Sequence, residues 1–128
     1  TLPALQTSID RVFAEETVEA IRGALEKEEA DWAKEARQAM DRASPISLKI
    51  TLRQLQLGQG MSVEQALTLE YRMTQHVMVG HDFFEGIRAI VVEKDNKPRW
   101  QHARLEDVSE REVASYFESL GARELTFA

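Results

Sequence analysis

The 128 residues contain no cysteine, three prolines, six glycines and only 7% aromatic residues. Without cysteine there is no disulfide, no thiolate nucleophile and no cysteine-based metal site, which suits a reducing compartment. No apolar run reaches the roughly 18 residues that a membrane-spanning helix needs, so no membrane partner is expected. Basic residues are in deficit: 16 Lys and Arg stand against 22 Asp and Glu, a net charge of −6. That balance argues against a nucleic-acid-binding body, which carries a basic face, but leaves room for one local cationic patch. There is no internal repeat and no low-complexity tract. The chain opens on Thr1 rather than Met and without a signal-like region, which points to processing or to a fragment.

What is present is helical periodicity broken by strong punctuation. The apolar fraction is 43% and the charged fraction 30%, ordinary values for a chain long enough to bury a core. Val18, Ile21 and Leu25 recur at spacings of three and four, with Thr17 placed to cap them. Trp32, Ala36, Ala39, Met40 and Ala43 form a second pattern after an acidic, solvated link over residues 26–31. Ser44-Pro45 predicts a helix start, Leu48, Leu52 and Leu55 mark its face, and Gly58 and Gly60 bracket its end. Ser62 and Gln65 have the spacing of a capping box ahead of a widely apolar helix that Gly80 terminates. Asp82 and Glu85 repeat that spacing, so a helix is expected to begin near Phe83 and to carry Phe84, Ile87 and Val91 on one face. The run from Ala89 to Val92 also fits a short buried strand, but the upstream cap favours helix. "KDNKP" turns the chain. A last helix starts at Ser109, with Glu112 at the box position and Gly121 as its C-cap. The fold class is therefore all-α, with roughly six helices in a single region over residues 1–128.

The chemistry-bearing residues are sparse. His76, His81 and His102 lack zincin-like spacing, so capping and surface hydrogen bonding are favoured over a metal site. His81 and Asp82 are chain neighbours, which generally point apart, and no G-x-S-x-G elbow supplies a nucleophile. "GQG" is too short for a phosphate loop. Arg88, Lys94, Lys97 and Arg99 cluster around one helix end and its turn, where they suit either a phosphate or the helix's own C-terminal carbonyls.

At "SPISLKITLRQL", "LTLEYRM", "GHDFFEGIRAIVVEKDNKPRW" and "YFESLG" the chain resembles the C-terminal part of the 3-hydroxyisobutyryl-CoA hydrolases, a branch of the crotonase (enoyl-CoA hydratase/isomerase) superfamily. The resemblance implies a crotonase-like α/β parent whose spiral core is absent from this chain. That core holds the catalytic acids and the oxyanion hole, so no residue here is assigned a catalytic role and the isolated chain is expected to be inactive. The parent's reaction would be hydrolysis of 3-hydroxyisobutyryl-CoA in valine breakdown, with CoA as part of the substrate and no cofactor. By the same resemblance, a CoA-contacting aromatic position falls on Ile90 and a basic one on Glu93, with Lys94 next to it. Lys94, with Ile90 and Arg88 beside it, is the candidate CoA contact. The implied partners are the N-terminal core, the acyl-CoA and further copies of the chain, in a bacterial cytoplasm or a mitochondrial matrix. With the core missing, the apolar surface of residues 63–79 and the Phe83/Phe84 face should be only partly buried. An enoyl-CoA hydratase or isomerase parent, or a helical interaction module, are the alternatives.

Overall fold

Seven α-helices carry the chain: α1 (Leu2–Val12), α2 (Val18–Lys27), α3 (Asp31–Arg42), α4 (Pro45–Gly58), α5 (Val63–Val77), α6 (His81–Ile87) and α7 (Glu110–Ser115). A π-helical turn, Arg88–Val92, continues α6, and single 3₁₀ turns lie at Leu105–Asp107 and Gly121–Arg123. The computed structural model describes residues 1–128 and contains no β-strand. The run from Ala89 to Val92 is accordingly helical. No helix is long and apolar enough to cross a membrane. The chain divides into two compact units, Thr1–Ala43 and Ser44–Ala128.

In the first unit, α2 packs against both α1 and α3. The Thr17 hydroxyl accepts from Ala20 N at 3.1 Å and so caps α2, whose Val18, Ile21 and Leu25 are buried. Arg22 forks onto Asp41 at 2.6 and 3.2 Å and ties α2 to α3. The acidic link is shorter than the sequence suggests, because α2 runs to Lys27 and only three residues separate it from α3. Helix α1 has no counterpart in the sequence reading. Its N-cap, Thr1, makes no side-chain capping bond, so Pro3 in the first turn and the spacing of Leu5, Ile9 and Val12 are its only local signals.

The second unit is built on three capped helices. Ser44 caps α4 by accepting from Ser47 N at 3.3 Å, and Pro45 occupies the first turn. Ser62 and Gln65 form both bonds of a capping box, at 3.2 and 2.9 Å. Ser109 caps α7 through Glu112 N at 3.1 Å. These starts aim Ile46 and Ile50 of α4, Leu69 and Met73 of α5, and Val113 of α7 into one core with Val108. Arg72 donates to the Phe117 carbonyl and pairs with Glu124, which holds the last residues to α5.

Two glycines have different jobs from those expected. Gly80 is the N-cap of α6, three residues beyond the end of α5. Gly121 does not terminate α7, which stops at Ser115; with φ +60° it opens the 3₁₀ turn that follows.

Candidate functional site

Two polar clusters of the second unit are built on α6 and the segment that follows it, one around Asp82 and one around Arg88. Asp82 is not a cap. Helix α6 begins at His81 with Gly80 as N-cap and no side-chain capping bond. Asp82 instead turns inward, 8% exposed, and accepts from Ser44 Oγ at 2.5 Å, Gln101 N at 2.8 Å and His81 Nδ1 at 2.9 Å. Burial pushes its pKa up, but the hydrogen bonds from His81, Ser44 and Gln101 outweigh burial and hold it below the usual carboxylate range. The expectation that His81 and Asp82 point apart fails, because both groups lie in the first helical turn, where the aspartate can reach back to the ring. The order of the contacts still excludes a serine–histidine dyad: the carboxylate stands between hydroxyl and imidazole, so the His81 ring does not face the Ser44 oxygen.

The other histidines have separate partners. His76 Nε2 lies 3.0 Å from the Glu118 carbonyl, and His102 Nε2 lies 3.0 Å from Glu112. No three His, Asp or Glu side chains are grouped to hold a metal ion.

Beyond Asp82, Arg88 organises the exit from the helix. Its fork takes both oxygens of Glu85 at 2.7 and 2.9 Å. The same guanidinium reaches Asp95 at 2.9 Å, the Lys97 carbonyl at 3.2 Å and the Glu93 carboxylate. Glu85 also accepts from Arg99 N at 2.7 Å. The Arg88 hydrogen bonds, helped by Arg99 N, lower the Glu85 pKa from its ordinary 4.5 to about 2. Glu93 N closes onto the Arg88 carbonyl at 2.8 Å, the five-residue spacing that makes this turn π-helical.

The chain then reverses through two left-handed residues, Lys94 (φ 56°) and Asn96 (φ 54°). Such conformations cost non-glycine residues on the order of 1 kcal/mol each. They are offset by Asn96 N on the Ala89 carbonyl at 3.0 Å, Lys97 N on Asp95 Oδ1 at 2.8 Å and the Arg88 contacts. Lys94 is exposed and stands outside these ion pairs. Ile90, 59% exposed, belongs to an apolar strip with Phe83, Phe84, Ile87 and Val91. Sequence spacing puts Phe84, Ile87 and Val91 on one helical face. All three are exposed, and the residue of this stretch that enters the interior is Ala89. On α5, Val63, Leu67 and Tyr71 are open as well, and Val79 beyond it is 83% exposed. The partial burial expected of these surfaces is what the structure has.

One prediction follows from Glu85. In the unfolded chain it titrates near 4.5, so the stability its lowered pKa contributes is complete above that pH and is lost as pH falls through about 2. Urea midpoints measured from about pH 6 down to about 2 should decline below about 4.5, and Glu85→Gln should flatten that decline. The same decline in the variant would contradict the assignment.

The candidate contact residues therefore divide. Lys94 and Ile90 are both exposed, whereas Arg88 is committed to three carboxylates. Sequence reasoning missed the Asp82 node, whose partner Ser44 is 38 residues away. It also missed the Arg88 node, for which the three-residue spacing of Glu85 and Arg88 was an available signal.

Residues 1–117 match the family model described as Enoyl-CoA hydratase/isomerase. The chain belongs to this family. Among curated relatives, it is 45% identical over 119 residues to the mitochondrial 3-hydroxyisobutyryl-CoA hydrolase of Rattus norvegicus, matching 93% of this chain and 31% of the relative. It is 48% identical over 117 residues to the probable 3-hydroxyisobutyryl-CoA hydrolase 2 of Arabidopsis thaliana, matching 86% of this chain and 31% of that protein. Among solved structures, an enoyl-CoA hydratase from Rhodobacter sphaeroides superposes with a TM-score of 0.91 at 46% identity, over 98% of this chain and 37% of that one. A carnitinyl-CoA dehydratase from Mycobacterium thermoresistibile gives 0.89 at 35% identity, over 98% and 36%. The chain thus spans about a third of the length of the enoyl-CoA hydratase/isomerase relatives it matches.

The expected placement of the chain as the C-terminal helical region of a crotonase-like α/β protein is corrected by these matches. The family model runs over residues 1–117 and the superposition covers 98% of the chain, so the helices are themselves crotonase-family structure. The all-helical character stands; the C-terminal assignment does not carry forward.

Proposed function

We propose that this chain is a helical portion of a 3-hydroxyisobutyryl-CoA hydrolase and that its α6 turn contributes to binding the CoA moiety. The observation that carries this reading is the agreement of the curated relatives, animal and plant, on that activity. Hydrolysis by such a protein adds water across the thioester and releases 3-hydroxyisobutyrate and the free thiol of CoA.

In this reading Lys94 supplies an exposed ammonium for a CoA phosphate, and Ile90, exposed as well, supplies apolar surface. A contact of this kind, remote from the thioester, holds ground state and transition state alike and acts chiefly on affinity. The exposed strip of Phe83, Phe84, Ile87 and Val91 packs in this reading against the rest of the parent protein or a further copy of the chain. The mitochondrial relatives and bacterial structural neighbours fit a matrix or bacterial-cytoplasmic setting.

The second reading, an enoyl-CoA hydratase, is favoured by the description of the Rhodobacter structure. A direct assay separates the two. The full-length protein that carries this sequence, given 3-hydroxyisobutyryl-CoA, should release thiol, while crotonyl-CoA should lose little of its conjugated absorbance. Rapid loss of that absorbance without thiol release establishes the hydratase reading. Turnover of neither substrate leaves the chain as a helical interaction module.

A further inference from the structure

Between Glu85 and Arg99 the chain places three acids among four bases, whereas the molecule as a whole has a net charge of −6. Glu93 and Asp95 flank Lys94 on either side, the natural partners for its ammonium. Neither pairs with it. Both carboxylates are drawn to Arg88, together with Glu85.

We propose that Arg88 is a positioning residue for phosphate binding: it does not touch the ligand, but withdraws Glu85, Glu93 and Asp95 from Lys94 and Lys97 and holds their turn in its left-handed form. This rests on the reading of Lys94 as a CoA-phosphate contact.

The chemistry of the side chain supports the role. One guanidinium spans Glu85 through Nε and Nη2, Asp95 and Glu93 through Nη1, and the Lys97 carbonyl through Nη2. A lysine carries the same charge on one atom and cannot present that fork. With Arg88 gone, the three carboxylates have only Lys94, Lys97 and Arg99 as nearby cations. The lysines then fold back onto them, and a phosphate must compete with carboxylates already in place. The backbone is affected too, since the Lys97 carbonyl loses its donor in a turn that has two left-handed residues.

The test uses the full-length protein and CoA alone as the probe, with affinity measured at two ionic strengths. Arg88→Gln should weaken CoA binding by about tenfold, and Arg88→Lys by less. Adding Glu93→Gln and Asp95→Asn to Arg88→Gln should recover most of that loss, because the competing carboxylates are then gone. A purely structural Arg88 would gain nothing from these additions, so failure to recover overturns the proposal. Undiminished affinity in Arg88→Gln overturns it as well. If Arg88→Gln does not fold, Arg88→Lys decides: wild-type affinity there also overturns it. Lys94→Ala separates this proposal from the reading beneath it. Weak binding in Lys94→Ala with full binding in Arg88→Gln leaves Lys94 as the contact and removes Arg88, whereas no effect of Lys94→Ala removes both.

Discussion

Asp82→Ala is expected to lower the stability of the chain by about 3 kcal/mol, roughly a hundredfold in the folding equilibrium. The carboxylate joins the start of α4, through Ser44, to the strap after the turn, through Gln101 N, and it does so from the interior. Alanine leaves the Gln101 N–H without its acceptor and the Ser44 hydroxyl without its recipient. Unmade buried hydrogen bonds of this kind are more expensive than the bonds were worth. Asp82→Asn keeps the volume and one accepting oxygen, so it should lose about half as much. Urea unfolding of the three proteins checks the order. An alanine variant within about 0.5 kcal/mol of the original chain would mean that the node is not structural.

The second large effect is expected at Leu25. It is 1% exposed and, with Val12, is among the largest fully buried side chains. Leu25→Ala removes apolar volume and leaves a cavity, and should cost about 3 kcal/mol; Leu25→Met keeps the volume and should cost less than about 1.5 kcal/mol. Because Leu25 belongs to the first unit, the loss should show as faster amide exchange in α2, the helix that packs against α1 and α3. Unchanged exchange in α2 with alanine at position 25 would contradict the assigned core.

These two sites differ in how much of them can be read along the chain. The α2 pattern and its Thr17 cap are local: periodicity, cap and first-turn acid all lie within one helix. The same holds for Ser44-Pro45, for the Ser62–Gln65 box and for Ser109. Asp82 has the spacing of a cap too, but a hydroxyl 38 residues away competes for its carboxylate and wins. Spacing alone does not register a tertiary partner. Gly121 illustrates the same limit in another form: it has the left-handed φ of a helix C-cap, yet the helix ended at Ser115. Helix α1 lacks the side-chain cap that marks the starts of α2, α4, α5 and α7. At the turn, the basic residues were legible as a group, but their division was not. Arg88 differs from Lys94 in its planar fork and in the carboxylates that the turn folds back onto it. The resemblance to CoA-thioester hydrolases was legible in short motifs and is matched by the family; the placement at a C-terminal end was not.

The most direct test of the turn's role compares two ligands on the full-length protein with and without Lys94→Ala. CoA carries the phosphates, whereas a pantetheine thioester carries none. If Lys94 holds a CoA phosphate, the substitution weakens CoA by about tenfold at low salt, by less at high salt, and leaves the pantetheine thioester unchanged. Equal affinity for CoA in both proteins at both salt concentrations would contradict it.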